Sequence, residues 1–499
     1  MKNIIKNCFN IVFLISFGYV LYNSIFQNEV NFFEWNKYIV IFGVLVNVLI
    51  LLLVYKYLTK KTKINTKLIV PIYLMCVFVV QCIIGHLFKV EPNWDMKDLF
   101  DGAISYINGN NKYLSYLYRY SNNIAIQIIY IILFKISDFI KIISHYDIAM
   151  IFNIIMIDMA LLFTYLVSEK LFDEKKAFMI FICASLITPI YLFAPIIYTD
   201  TISMLFPLLI LFFYLSGKET QKLKPKVVFY FSMGFAAYIG MCIKPTVLIT
   251  LIAIVIYEIL NLNKKELILT VSIILTTLII GVLSSNLLIK LVFKEWNNVE
   301  YNIERFPATH WIMMGLEGVG KYNQRDVSIT ASFKSVEQKR ENNIKEIKKR
   351  LDNILKNEKM NFVRDKLMYT WGDGTYYAVN TLDFDAVNKG IHQQFVFKRG
   401  KNHEFYQYYT QIQHITTIFL MVIVTISSTR KEISYSLILR ISIFGLFLFL
   451  LIWETRSRYL INYLPIMQII AFEGVKCLYE IVCAKRKSVD KIKNCKKVK

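Results

Sequence analysis

Apolar residues in this chain fall into long runs parted by short polar loops. The runs cover 9–26, 38–58, 68–88, 148–168, 177–196, 201–217, 226–243, 245–260, 267–289, 412–428, 434–453 and 460–480. A helix that crosses a bilayer needs about 20 mostly apolar residues. The pattern therefore predicts an all-α polytopic membrane protein with about 12 transmembrane helices. One further apolar piece, NNIAIQIIYIILFKI (122–136), fits either a span or a helix lying at the surface. The first run follows Lys2 and Lys6 as a signal peptide would. No small-residue cleavage site comes after it, so it reads as a retained start-transfer helix.

Composition sharpens this picture. The chain has 499 residues, is 56% hydrophobic and carries a net charge of +22, with a mean hydropathy of +0.45. Its basic residues lie mostly in the loops TKKTKINTK (59–67), GKETQKLKPK (217–226), NLNKKE (261–266) and TRKE (429–432), and in the tail 483–499. Cytoplasmic loops are enriched in Lys and Arg, which accounts for the charge without a nucleic-acid partner. With both termini cytoplasmic, every basic loop falls inside only if 122–136 does not cross. That stretch is accordingly expected to be re-entrant or surface-lying. The eight cysteines avoid the long polar segment 290–411, so no disulfide framework is implied there. No CxxC or HExxH pair marks a structural zinc site.

The same bookkeeping puts four polar patches on the outer face: the loop 89–121 and the junctions IYTDTIS (197–203), CIKPT (242–246) and WETRSRY (453–459). Within 290–411, Ile344, Ile347, Leu351 and Ile354 at helical spacing predict an amphipathic helix around 334–358. Each patch has a plain structural reading. Asp200 before an apolar helix suits an N-cap. Arg456 and Arg458 suit interface anchors, Lys244 a snorkelling end, and His310 a buried structural histidine. Asp98 and Asp101 suit the wet face of a short surface helix. Asp95, beside Trp94 at the membrane edge, resists such a reading, because carboxylates are costly near hydrocarbon. Together the patches offer a carboxylate able to take a proton from a hydroxyl, and cations able to stabilise a departing phosphate.

The stretches NWDMKDLFDGA (93–103), YLYRYSNNIAIQIIYIILFKI (116–136), YTDTISMLFPLL (198–209), IKPTVLITLIA (243–253), HWIMMGLEGVG (310–320), WGDGTYYA (371–378) and RSRYLINYLP (456–465) carry a resemblance. Taken in order, from about 68 to 480, they resemble the GT-C superfamily of polyprenyl-phosphate-sugar-dependent glycosyltransferases, close to family 39 and bacterial protein O-mannosyltransferase-like proteins. Set against that family, the chain has a GT-C-like core (68–289) with its first outer loop at 89–121, C-terminal spans (412–482) and a basic tail (483–499). It departs from the pattern in two extra N-terminal helices (1–67) and in the extracytoplasmic segment (290–411) between later spans, so acceptor specificity does not carry over with the resemblance. The resemblance implies lateral juxtamembrane helices, a catalytic Asp95 and a second acidic residue, Asp200, that orients the acceptor or a metal. It gives the lipid phosphate to Arg458, Arg456 and Lys244, with Arg119 a further candidate. The expected reaction is a single displacement with inversion: Asp95 activates an acceptor hydroxyl, and polyprenyl phosphate leaves. The expected partners are a polyprenyl-phosphate sugar, a glycan, lipid or protein acceptor, and membrane lipid. The resemblance implies no obligatory cofactor, and the two acidic residues offer oxygen ligands for a divalent cation such as Mg or Mn. The expected location is the plasma membrane, with the active site outside. The rival readings are a lipid-linked glycan polymerase or ligase, a transporter or flippase, and a structural or sensor protein with an outer domain.

Overall fold

The computed structural model describes residues 2–27, 34–59, 65–261, 263–384, 386–428 and 434–496. The basic loop 429–432, most of the loop 59–67 and the end of the tail (497–499) lie outside the described residues. Among those described, the protein is all-α, and the nearest thing to a strand is one isolated bridge between Val90 and Ala386. The helices used below are α1 (Lys2–Phe26), α2 (Lys37–Thr59), α3 (Thr66–Leu87), α4 (Trp94–Ile107), α5 (Leu114–Arg119), α6 (Ile124–Ile140), α7 (His145–Leu171), α8 (Glu174–Ser185), α9 (Leu205–Glu219), α10 (Leu223–Ile243), α11 (Leu248–Asn261), α12 (Lys264–Val292), α13 (Val336–Asn353), α14 (Lys359–Trp371), α15 (His403–Ser428), α16 (Ser436–Ile452) and α17 (Leu464–Lys496).

By length and composition, nine helices among the described residues are able to cross a membrane, with Pro245–Asn261 and Ser436–Ile452 as shorter apolar helices. Polar side chains set the starts of several helices. Ser144, Asp173, Asn263 and Ser335 each accept a bond from a backbone N–H in the following first turn, satisfying donors that a helix start leaves open.

Contacts between helix termini define two ends of one bundle. At one end, Lys89 after α3 pairs with Asp147 at the start of α7 (3.1 Å), and the Tyr106 hydroxyl donates to Val292 O at the end of α12 (3.1 Å). At the opposite end, Thr66 meets Tyr165 (3.1 Å), Lys170 meets Glu219 (2.6 Å) and Lys226 meets Glu266 (3.3 Å). Of the helices, α1, α2, α3, α7, α9, α10, α12 and α15 are long and apolar enough to run between the ends, with the shorter α11 and α16 beside them. The apolar run 177–196 is not one helix: α8 stops at Ser185, whose hydroxyl meets that of Tyr73 midway along α3 (2.9 Å). A few charged residues are buried in the bundle, including Asp158, Glu258 and Arg440.

Helix α6 behaves differently. Asn123, just before it, bonds to Tyr116 and lies beside Tyr198. Midway along, the Tyr130 hydroxyl donates to Ile197 O (2.7 Å). In its last turn, Asp138 pairs with His145 at the start of α7 (2.7 Å), and Phe134 one turn earlier stacks on the same ring. Both ends of α6 thus lie at the same end of the bundle, although Ser121–Ile140 is long and apolar enough to cross. Length and composition set a capability, and the packing against α4 and α7 decides how it is used. Residues 298–402 gather at this same end. The helix expected around 334–358 forms as α13, but its buried side carries Val336, Lys339, Asn343 and Arg350, while Leu351 of the expected apolar face is exposed.

The arrangement predicts that Lys112→Cys and Lys141→Cys, on either side of α6, react with an impermeant maleimide from the same side of the membrane in a cysteine-free background. Labelling from opposite sides would contradict it.

Candidate active site

Asp95 stands in the first turn of α4 and follows Trp94, whose φ of 48° is rare for a bulky residue. Its carboxylate is held by two tyrosines distant in sequence. Tyr116 Oη donates to Oδ1 and Tyr198 Oη to Oδ2, both at 3.0 Å. Asn123 Nδ2 donates to Tyr116 Oη (2.6 Å), and Asn123 Oδ1 lies 3.3 Å from Tyr198 Oη. Burial first, then the Asp95 charge, pushes both phenols well above the ordinary tyrosine range. They therefore remain protonated donors that fix the orientation of the carboxylate. An ionised carboxylate offers about four lone-pair positions, so Asp95 keeps acceptor capacity for a further hydroxyl.

Two residues after Tyr198, Asp200 is 2% exposed. It does not cap the short helix Thr199–Ile202. Its Oδ1 instead receives Lys244 Nζ, and Arg458 Nε stands 3.7 Å from Oδ2. The geometry makes Asp200 a buried counter-ion where the resemblance implied a residue turned to acceptor or metal. Two cations surround this one carboxylate. Burial lowers the Lys244 pKa against the pull of Asp200. Burial also opposes the Arg458 charge, but Asp200, Tyr459, Tyr198 and Asp95 outweigh it and hold the guanidinium above its ordinary value.

Tyr198 joins the two halves of the site. Its hydroxyl is on Asp95, and its ring lies under Arg458, with the guanidinium carbon 5.2 Å from the centroid. Tyr459 provides a second aromatic face, 4.7 Å from Lys244 and 5.6 Å from Arg458. The Tyr459 hydroxyl donates to Glu454 (2.5 Å), a fully enclosed carboxyl whose pKa burial raises. Arg456 lies 4.9 Å over Tyr377. Tyr376 and Tyr377 both have left-handed backbones, φ 53° and 66°. Asp373 braces that turn by accepting from Thr375 N (2.8 Å) and Tyr377 N (2.9 Å). It also takes the Ser457 hydroxyl (2.8 Å). Backbone strain of this kind gathers where a site over-determines its geometry.

The segment 298–402 stitches the Trp453–Tyr459 turn in place. Glu454 N donates to Trp311 O (3.0 Å) and Thr455 N to Gly320 O (2.8 Å). Lys366 Nζ bonds to Gly315 O and to Trp453 O (2.9 Å), and burial brings its pKa down to about 7. Gly315 is needed for closeness, since a Cβ there would sit 2.5 Å from the Trp453 carbonyl carbon. The junction 244–246 is tied in as well, because Asn462 and Tyr463 bond to Thr246 (2.9 Å each).

Four of the expected site residues, Asp95, Asp200, Lys244 and Arg458, thus meet in one polar group, and Arg456 stands at its edge. Arg119 does not join it. Its guanidinium pairs with Glu304 (3.1 Å) and covers Phe306, tying α5 to the segment beyond α12. Asp98 and Asp101 are exposed on α4. Burial, then Asp95 and Asp101, raises the Asp98 pKa. Residues 1–476 match a protein family described as conserved hypothetical integral membrane protein. The chain belongs to that family. No curated protein and no solved structure matches it. For this integral membrane protein the family description carries no reaction, so the chemistry rests on the site itself. Among the described residues, no group of three His, Cys, Asp or Glu is placed to hold a metal ion. Asp200 does not suit one either, because Lys244 and Arg458 face its two oxygens.

His310 lies outside the group. It is 1% exposed, with Nδ1 2.8 Å from Thr330 Oγ1, and burial lowers its pKa to about 4.

Two outcomes follow. Removing one partner of a buried ion pair strands the other at a cost of about 3–5 kcal/mol. Asp200→Asn should therefore lower the melting temperature sharply, and adding Lys244→Met should restore part of the loss; a neutral Asp200→Asn contradicts the buried cluster. The unfolded chain protonates His310 near pH 6.5 and the folded one only near 4. Stability should therefore fall as pH drops from 6.5 towards 4, by roughly 3 kcal/mol from this group. His310→Asn should flatten that part of the melting profile measured in detergent.

Proposed function

We propose that this protein is a membrane glycosyltransferase that moves a sugar from a polyprenyl phosphate to an acceptor hydroxyl at the outer face of the plasma membrane. The observation that carries the reading is Tyr198, which holds Asp95 by its hydroxyl and carries Arg458 on its ring. A general base and a cation thereby stand one side chain apart, at the end of a membrane bundle. An unmet donor favours an anionic ligand. Arg458 Nε is enclosed without a hydrogen-bond acceptor among the described residues, and a phosphate oxygen would supply one. Arg456 extends the cationic edge.

In this mechanism the donor phosphate binds against Arg458 and Arg456, with Lys244 behind, so that the sugar C1 faces Asp95. Asp95 accepts the proton of the acceptor hydroxyl as that oxygen bonds to C1. The C1–O bond to phosphate breaks on the opposite face, and the configuration inverts. The electron pair leaves on the phosphate oxygen, whose charge the guanidinium groups stabilise. Tyr116 and Tyr198 keep the carboxylate aimed. No step is routed through a metal ion.

A specific observation also favours a second reading, transport. Asp158 is buried midway along α7, and an intramembrane carboxyl is a recurrent feature of transport pathways.

Purified protein in detergent, given a panel of radiolabelled polyprenyl-phosphate hexoses and candidate acceptors, is expected to release polyprenyl phosphate. Asp95→Asn should reduce release by about a hundredfold or more. Folded wild-type protein that releases nothing from any donor would overturn the reading in favour of a polymerase, ligase or transporter.

A further inference from the structure

Large apolar side chains are exposed along one stretch at the site end of the bundle: Phe384 (67%), Val387, Ile391 (80%), Phe395 and Phe405 (74%). A contiguous exposed apolar patch on a folded protein marks something that covers it. Here the attachments of the stretch identify the cover. Val387 N donates to Lys89 O (2.9 Å), and Asn388 Nδ2 donates to His86 O (2.6 Å). Residue 386 bridges Val90, and His392 and Phe397 pack on Phe88 at 4.8 and 6.1 Å. All of these anchors are at or just beyond the last turn of α3. At the other extreme, Phe405 lies in the first turn of α15, itself apolar and long enough to cross. The stretch therefore runs from the end of one membrane helix to the start of another, at the level where both meet the interface. Exposed Lys389, Arg399 and Lys401 fringe it. Apolar residues with basic neighbours suit a surface lying on anionic lipid.

We propose that the face formed by Phe384, Val387, Ile391, Phe395 and Phe405 lies on the bilayer surface, with its apolar side chains among the lipid chains and its basic fringe among the headgroups. The ring of Trp94, itself exposed, lies 5.8 Å from that of Phe384. Docking this face consequently holds Asp95, the next residue after Trp94, at headgroup depth. The inference rests on exposure and attachment alone and stands apart from any reaction at Asp95.

The test uses full-length protein in vesicles of phosphatidylcholine and phosphatidylglycerol doped with a diazirine-bearing phospholipid, photolysed and mapped by peptide mass spectrometry. No sugar donor is present, so the result is independent of the proposed reaction. The five residues are expected to be labelled at a yield comparable with Phe42 and Leu45 on α2, both exposed on a membrane helix. That yield should stand well above Leu355, an exposed apolar residue just before α14. Labelling no higher than Leu355 overturns the proposal. The combined variant K389Q/R399Q/K401Q should lower labelling in the anionic vesicles and leave it unchanged in pure phosphatidylcholine. No change in anionic vesicles, or equal loss in both, removes the basic fringe from it.

Discussion

A carboxylate sealed between two cations at the end of a membrane bundle is the constraint on which the site depends. Taking Asp200, Lys244 and Arg458 out of water is expensive, and their mutual attraction repays it only if all three are held in place. They come from three different junctions: the turn before α9, the turn between α10 and α11, and the turn before α17. Meeting the charge requirement thus fixes how three helix pairs register against one another. Each cation also rests on an aromatic face, Tyr459 for both and Tyr198 for Arg458. A guanidinium tolerates such a partly dry setting because it is weakly hydrated and stacks well.

The rest of the site end can be understood as support for this cluster. The segment 298–402 approaches so closely at Gly315 that a side chain there would collide with Trp453. Its bonds to Glu454, Thr455 and Ser457 immobilise the turn that carries both arginines. Left-handed backbone at Trp94, Tyr376 and Tyr377 costs on the order of 1–3 kcal/mol each. It persists because neighbouring bonds over-determine those turns, and each borders a charged member of the site. Rigidity of this kind suits electrostatic stabilisation, which works through groups already oriented before charge develops.

Much of the architecture was legible in the sequence because membrane helices announce themselves by length and composition. The charge of the basic loops led to the expectation that 122–136 does not cross, a question that hydropathy alone leaves open. Asp95 drew notice in the sequence because a carboxylate at a bilayer edge has few cheap explanations, and the structure places it in one polar group with Asp200, Lys244 and Arg458 through Tyr198. The tyrosines were not. Tyr116 and Tyr198 sit inside the quoted motifs, yet phenols are common in apolar stretches, and their role depends on a partner 21 or 103 residues away. The role of Asp200 was missed for the same reason, since a capping position and a buried counter-ion look alike until Lys244 is brought to it. Arg119 shows the converse. Its neighbours in sequence suggested the site, and a glutamate 185 residues on claims it.

In the proposed reaction the cations around Asp200 bind a lipid phosphate while Asp95 serves the acceptor. Titration of the purified protein with farnesyl phosphate, a soluble analogue of the leaving lipid, separates these roles. Binding should be saturable and should weaken by about tenfold or more in Arg458→Gln, the scale of a charge-assisted hydrogen bond. Binding should be undiminished in Asp95→Asn, because Asp95 does not touch the phosphate. Equal binding by wild type and Arg458→Gln, or loss of binding in Asp95→Asn with the fold intact, would contradict these roles.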